Sequence, residues 1–122
     1  MQAEKRVVAI VEDDPSMLKG VGRLLSAHGF LTEAYTSAEA FLEHAAATEA
    51  SCLLLDINLG GISGIELSHR LAAGGSKLPV IFMTAVDSEN VQREAVLAGC
   101  IAYLRKPFPS HQLIDAIGKA VG

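Results

Sequence analysis

Five short apolar segments, each followed by a stretch with helical periodicity, restrict the fold of this chain more than any other feature. The segments are RVVAIV (Arg6–Val11), LTEAY (Leu31–Tyr35), CLLLD (Cys52–Asp56), PVIFMT (Pro79–Thr84) and IAYLRK (Ile101–Lys106). The first, third and fourth are almost uninterrupted in apolar residues, which is typical of parallel strands that are buried on both faces. The second alternates more, as a strand nearer an edge of a sheet does. We therefore predict five β-strands.

The stretches after the apolar segments repeat apolar residues at helical spacing. In the first of them, Pro15 stands near the predicted helix start and Gly29 lies just beyond its end. Ser37 is placed to cap the second helix. Strand and helix in alternation predict an α/β fold, with an open parallel sheet that carries helices on both faces. In such sheets ligands bind outside the carboxyl ends of the strands, so we expect the functional residues there.

The bulk properties favour one domain, which we place at residues 1–122. A net charge of −4 produces no field that attracts nucleic acid or an anionic membrane surface. The apolar run Val7–Val11 is too short for a signal peptide, and no segment approaches the roughly 20 apolar residues that cross a bilayer. We therefore expect a cytoplasmic protein. Cys52 and Cys100 lie in apolar surroundings without a metal-ligand spacing, so we expect buried free thiols.

Acidic residues follow two of the predicted strands. Asp13 and Asp14 come after the first strand, and Asp56 ends the third. If these strands are neighbours, the carboxylates converge, and two carboxylates about 5 Å apart repel by roughly 3 kcal/mol at an effective dielectric constant of about 20. Such a cluster favours a hard divalent cation, and we expect Mg²⁺ because the chain shows no twelve-residue Ca²⁺ loop. We interpret Glu12 as a solvated loop charge.

Two further strand ends supply a hydroxyl group and a cation. Thr84 ends the fourth segment and Lys106 ends the fifth. A metal ion, a carboxylate, a hydroxyl and a lysine together are typical of phosphoryl transfer, in which the cations neutralise phosphoryl oxygens while the carboxylate attacks phosphorus. The sequence therefore predicts that Asp56 is the nucleophile. Asn58 follows closely, and we expect its side chain to hydrogen-bond the water that hydrolyses the acyl phosphate.

Four motifs, in this order and at these separations, resemble one known family. They are the acidic pair in VEDDP, the acid in LLLDINLGG, MTA after the fourth strand and YLRKPF near the C-terminus. From Val7 to its C-terminus the chain resembles a response-regulator receiver domain of bacterial two-component signalling. AYTSAEAFLE and AGCIAYLRKPF are most similar to receivers of the FixJ-type branch. The resemblance implies a doubly wound sheet of five parallel strands in the flavodoxin-like order 2-1-3-4-5, with five helices on both faces.

The resemblance also implies chemical roles. Asp56 would accept a phosphoryl group from a sensor histidine kinase, a phosphotransfer protein or a small phosphodonor. Asp13, Asp14, Asp56 and the backbone carbonyl of Asn58 would hold Mg²⁺. By the same resemblance the chain is not a metabolic enzyme, and it catalyses only its own phosphorylation and dephosphorylation.

A conformational switch is implied in the same way. Thr84 would turn its hydroxyl to the phosphoryl group, Lys106 would pair with that group, and Tyr103 would move between an outward and an inward rotamer. The Lys106–Pro107 peptide bond would be cis. Phosphorylation would change the face formed by helix four, strand five and helix five, which would then bind a partner or a second copy of the chain.

FixJ-type receivers usually precede a helix-turn-helix output domain, and these 122 residues contain none. We therefore carry over no nucleic-acid binding by this domain itself and no membrane contact. A stand-alone receiver and a piece of a longer protein both remain open. The cognate kinase, the signal and the downstream target do not follow from the sequence.

The loop after the predicted phosphoacceptor departs from the family pattern. Where the family often has Met-Pro, this chain has Leu59 and Gly60, followed by Gly61. Adjacent glycines without a proline predict a loop that is more mobile in the absence of metal. Two other functions stay open at this point: a Mg²⁺-dependent phosphohydrolase with Asp56 as nucleophile, and a receiver-like interaction module that takes no phosphate.

Overall fold

The computed structural model describes residues 6–86 and 88–121, and it contains one parallel sheet with a helix after each strand. The strands are β1 (Val7–Val11), β2 (Leu31–Tyr35), β3 (Cys52–Asp56), β4 (Val80–Thr84) and β5 (Ala102–Arg105). The helices are α1 (Pro15–Ala27), α2 (Ala38–His44), α3 (Gly64–Ala73), α4 (Glu89–Leu97) and α5 (Ser110–Val121), with a short 3₁₀ turn at Ala45–Ala47. The predicted alternation of strand and helix is confirmed.

The strand order is β2-β1-β3-β4-β5, and every neighbouring pair is parallel. This confirms the predicted order 2-1-3-4-5 and places β1 beside β3. The register pairs residues that are last or next to last in neighbouring strands: Val11 with Leu55, Asp56 with Met83, and Thr84 with Arg105. The segments that leave β1, β3, β4 and β5 therefore meet at one edge of the sheet.

Two apolar cores lie on opposite faces of the sheet. Alternate residues of β1 belong to different cores, Ala9 with α2 and α3 residues and Ile10 with α1 and α5 residues. Strands β3 and β4 are buried along their whole length, which explains their unbroken apolar sequences. Each fully buried aliphatic side chain stabilises the fold by about 1.5–3 kcal/mol. The half-exposed pattern of β2 confirms its predicted edge position.

Short polar side chains begin four of the helices. Asp14 accepts hydrogen bonds at the start of α1, and Ser37, Ser63 and Ser88 do so at α2, α3 and α4. Pro15 occupies the first turn of α1, where a missing N–H is tolerated. Gly29 has φ +86° just past α1, a conformation that glycine adopts without strain. The helix boundaries expected from Pro15, Gly29 and Ser37 are thus confirmed.

Other local expectations have mixed outcomes. The Lys106–Pro107 bond is cis, as expected. Cys52 is a buried free thiol, as expected. Cys100 is also a free thiol but is only partly buried, so the prediction that it is buried is wrong. Burial raises the pKa of the Cys52 thiol to about 11. Among residues 6–86 and 88–121, no helix has the length and apolar character to span a bilayer.

Candidate functional site

Three carboxylates converge where β1 and β3 end. Glu12, Asp13 and Asp56 each place an oxygen within 4.8 Å of the others. Glu12 and Asp56 are buried, and Asp13 is exposed at the rim. Oxygen donors at this spacing suit a hard divalent cation, whose charge would relieve the mutual repulsion of the acids. The donor set therefore fits Mg²⁺.

The interpretation of Glu12 as a solvated loop charge is wrong. Its N–H donates to the carbonyl of Tyr35, so the backbone continues the β1 pairing, and the side chain is only 1% exposed. Burial raises the pKa of the Glu12 carboxyl to about 7, the adjacent Asp56 adds to this rise, and a hydrogen bond from Lys106 opposes it. One feature of the sequence hinted at the burial of Glu12, because this residue follows directly after a buried strand. That position does not by itself show that the side chain points into the protein.

Asp14 lies outside this group of carboxylates. Its Oδ1 accepts hydrogen bonds from Ser16 N at 3.0 Å and Met17 N at 3.5 Å, which satisfies the first turn of α1. The assignment of Asp14 as a metal ligand stays a prediction from the sequence. The geometry favours Glu12 in its place, because Glu12 and not Asp14 belongs to the carboxylates that converge on Asp56.

Removing the Asp14 carboxylate will separate capping from metal binding. Asp14→Ala is expected to lower the free energy of unfolding by about 1 kcal/mol, because two N–H groups lose their acceptor. Mg²⁺ affinity measured by calorimetry should change by less than about twofold, whereas Asp13→Asn should weaken it by about tenfold or more. Equal losses of affinity in the two variants would show that Asp14 ligates the ion.

Lys106 links the two buried acids. Its Nζ forms an ion pair with Glu12 Oε1 and lies 3.3 Å from Asp56 Oδ2. Burial alone would lower the pKa of the Lys106 ammonium, but the hydrogen bond to Glu12 and the charges of both acids outweigh burial and raise it. The ammonium therefore stays charged beside Asp56. This placement agrees with the cation predicted at the end of the fifth strand.

Asp56 is held from two sides at the end of β3. It is 3% exposed, its Oδ1 accepts a hydrogen bond from Asn58 N at 3.0 Å, and its Oδ2 faces Lys106. Thr84 at the end of β4 is fully buried, and its hydroxyl donates to Asn58 Oδ1 at 2.8 Å. The sheet therefore brings the predicted nucleophile, hydroxyl and lysine to one edge.

Two carboxylates accept hydrogen bonds from the backbone of the loop between β3 and α3. Gly60 N donates to Asp13 Oδ2 at 3.3 Å, and Ile62 N donates to Glu39 Oε2 at 3.3 Å. Gly61 has φ +79°, and a Cβ there would lie 2.6 Å from Glu39 Oε2. Greater mobility of this loop without metal stays a prediction. Nothing in the sequence pointed to Glu39, because it reaches the loop from α2 only through the fold.

Gly64 allows α3 to begin directly against the predicted phosphoacceptor. It is the first residue of α3, it is buried, and its N–H donates to the carbonyl of Ile57. A Cβ at this position would lie 2.2 Å from the carbonyl oxygen of Asp56 and 2.9 Å from Ile57 Cα. Real Cβ atoms do not approach backbone so closely, so a larger residue forces the helix and the end of β3 apart.

Tyr103 lies against an apolar core, and the four histidines lie at the surface. Tyr103 is half-buried on β5 and packs against the core that contains α2 and α3 residues. His28, His44, His69 and His111 are exposed, as expected for surface histidines.

The comparisons with known proteins decide the family. The response regulator receiver domain family matches residues 8–118. The chain belongs to this family. Receiver domains are parts of signalling proteins and not metabolic enzymes, they use Mg²⁺ generally, and they interact with histidine kinases or phosphodonors. The acidic group at the ends of β1 and β3 fits the Mg²⁺ and phosphorylation site of such a domain.

Two curated relatives cover nearly the whole receiver domain. It is 31% identical over 121 residues to the response regulator protein TmoT of Ectopseudomonas mendocina, covering 99% of this chain and 55% of that protein. It is 32% identical over 119 residues to the transcriptional regulatory protein FixJ of Azorhizobium caulinodans, covering 98% of this chain and 56% of that protein. The chain thus spans about half the length of these relatives.

Solved structures agree with this assignment. FixJ-N superimposes with a TM-score of 0.91 at 30% identity, covering 98% of this chain and 95% of that one. A receiver protein from Burkholderia phymatum gives a TM-score of 0.85 at 40% identity, covering 97% of this chain and 96% of that one. The resemblance to FixJ-type receivers is confirmed by both kinds of comparison.

Proposed function

We propose that residues 1–122 form a receiver domain in which Asp56 accepts a phosphoryl group from a histidine kinase, a phosphotransfer protein or a small phosphodonor. One observation carries this proposal. The buried carboxylate of Asp56 belongs to a group of acids that suits Mg²⁺, and it also lies beside the ammonium of Lys106. The reaction is the domain's own phosphorylation and dephosphorylation.

The residues at the sheet edge have different roles in phosphoryl transfer. An oxygen of Asp56 attacks phosphorus, the bond from phosphorus to the donor breaks, and the donor leaves with the electron pair. Lys106 pairs with a phosphoryl oxygen, since its ammonium already faces Asp56. Asp13, Asp56 and the carbonyl of Asn58 would hold Mg²⁺, with Glu12 favoured over Asp14 as the further acid. When bound, Mg²⁺ neutralises charge on the phosphoryl oxygens.

The phosphorylated state is proposed to change the face formed by α4, β5 and α5. Thr84 moves its hydroxyl to the phosphoryl group, and Tyr103 changes rotamer in response. Exposed apolar side chains support a docking role for this face: Val96 is 71% exposed, Leu97 is 77% exposed and Ile101 is 49% exposed. The occupant is a protein partner or a second copy of the receiver domain.

Incubation with acetyl phosphate and Mg²⁺ tests the proposal. We expect one hydroxylamine-sensitive adduct of about 80 Da by intact mass, because an acyl phosphate forms on a single carboxylate. Asp56→Asn should abolish the adduct, and removal of Mg²⁺ with EDTA should suppress it. Asp115→Asn, an exposed carboxylate on α5, is the matched control and should retain it.

Two other results would contradict the proposal. Continuous release of phosphate from phosphomonoesters would indicate a phosphohydrolase. The absence of any adduct in the folded wild-type domain, with both acetyl phosphate and a phosphorylated histidine kinase as donors, would indicate an interaction module that takes no phosphate.

A further inference from the structure

We infer that the side chain of Asn58 is a positioning residue that retains the Thr84 hydroxyl at a distance from Asp56 until a phosphoryl group is present. This inference rests on the proposed function and concerns the regulation of the same site. It assigns to Asn58 a role that differs from binding metal through its backbone carbonyl and from holding a hydrolytic water.

The hydrogen bonds of Thr84 define the resting arrangement. Its Oγ1 lies 2.8 Å from Asn58 Oδ1, 2.9 Å from Val86 O and 3.0 Å from Val86 N. The Val86 N–H donates to this oxygen, and the single hydroxyl proton is donated to Asn58 or to Val86 O. The O–H···O distance to Asn58 is close to the commonest value for such bonds. In this arrangement the hydrogen bonds of the Thr84 hydroxyl are made to Asn58 and Val86.

Asn58 connects the predicted nucleophile with the predicted switch residue. Its backbone N–H donates to Asp56 Oδ1, while its side-chain carbonyl accepts from Thr84. Asn58 itself is exposed, whereas Thr84 is fully buried. The buried hydroxyl therefore depends on protein acceptors, and a phosphoryl oxygen on Asp56 must compete with Asn58 for its proton.

The hydrogen bonds around Thr84 indicate that the fold tolerates loss of the Asn58 side chain. In Asn58→Ala the Thr84 hydroxyl keeps Val86 O as acceptor and Val86 N as donor, so no buried polar group is left without a partner. The backbone contact from residue 58 to Asp56 is also retained, because it uses only the N–H group. The variant therefore removes one of the two acceptors that compete for the Thr84 proton, and little else.

The expected result is tighter binding of a phosphoryl mimic. Beryllofluoride, at saturating Mg²⁺, should bind Asn58→Ala about threefold to tenfold more tightly than wild type, the range expected for one competing hydrogen bond. In the Thr84→Val background, which lacks the hydroxyl, Asn58→Ala should have no further effect. Calorimetry on the four proteins yields the coupling between the two side chains. Beryllofluoride is not hydrolysed, so the measured affinity does not depend on how Asn58 positions a hydrolytic water.

The four-protein experiment can fail in two distinguishable ways. Equal effects of Asn58→Ala in both backgrounds, or weaker binding in the single variant, would overturn the inference while leaving phosphorylation of Asp56 untouched. Failure of wild type to bind beryllofluoride and to form an adduct with acetyl phosphate would overturn the proposed function and this inference together.

A measurement on the unphosphorylated protein gives an independent result. Three-bond NMR couplings should show one dominant χ1 rotamer of Thr84 in wild type and averaging between rotamers in Asn58→Ala. Identical couplings in the two proteins would show that Asn58 does not restrain Thr84, and the inference would be wrong.

Discussion

Replacing Gly64 with alanine is expected to lower the free energy of unfolding by about 3 kcal/mol and to impair phosphorylation of Asp56. The added Cβ would lie 2.2 Å from the Asp56 carbonyl oxygen, and neither the start of α3 nor the end of β3 can yield as a flexible side chain does. Alanine is the better helix former by about 1 kcal/mol, so helix propensity opposes this loss. Urea unfolding and the rate of adduct formation with acetyl phosphate measure the two effects.

Gly60→Ala is the matched control in the same loop. A Cβ there meets no atom within 4 Å, and its backbone does not have a positive φ. Its N–H remains available to Asp13, so we expect a change in stability below about 0.5 kcal/mol and an unchanged phosphorylation rate. A Gly64→Ala protein as stable and as reactive as the control would show that the close approach of α3 to Asp56 has no energetic consequence.

Replacing Lys106 with methionine is expected to make stability strongly dependent on pH. In wild type without metal, the Glu12 pKa is raised from 4.5 to about 7, so between these values the folded protein binds more protons than the unfolded chain. Stability therefore falls as pH rises through this window and levels off above about pH 7. Two hydrogen bonds lower the Glu12 pKa, a larger contribution from Lys106 and a smaller one from the Asp14 N–H, so loss of the Lys106 side chain moves the window upward.

Urea unfolding at pH 5, 6, 7 and 8 in EDTA will measure this effect. We expect Lys106→Met to lose about 3 kcal/mol at pH 8, where two buried carboxylates lack their cation, and clearly less at pH 5, where Glu12 is protonated. Lys119→Met, an exposed lysine on α5, should follow the wild-type profile. A loss in Lys106→Met that is the same at pH 5 and pH 8 would contradict the proposed role of the ammonium.

The meeting of functional residues at the strand ends could be predicted, because parallel strands all end at the same edge of a sheet. Asp56, Thr84 and Lys106 stand at or next to the ends of three segments whose apolar character alone identifies them as strands. Parallel strands leave the sheet at one edge, so their terminal side chains meet without any knowledge of contacts. The position of β1 beside β3 came instead from the resemblance to receiver domains, and with that strand order the acids were expected to gather there.

The sequence did not distinguish the roles of the three adjacent acids that follow β1. Glu12, Asp13 and Asp14 are neighbours in the sequence, yet one is buried against Lys106, one lies at the rim and one caps α1. Their roles depend on the direction in which the backbone turns each side chain as β1 ends and α1 begins. Composition and spacing do not contain that direction, so the sequence provided no reason to consider Glu12, whereas the geometry favours it over Asp14 as a ligand.

By itself the sequence determined the five strands, their buried or edge character, the helix starts and the set of residue types needed for phosphoryl transfer. These features depend on local periodicity, capping and the common direction of parallel strands, all of which act over short stretches of chain. Only the tertiary structure decided the inward side chain of Glu12, the approach of Gly64 to Asp56, the reach of Glu39 to the loop and the bond from Thr84 to Asn58. Each of these joins segments that are separated in the chain or fixes one side-chain direction, and packing in three dimensions sets both.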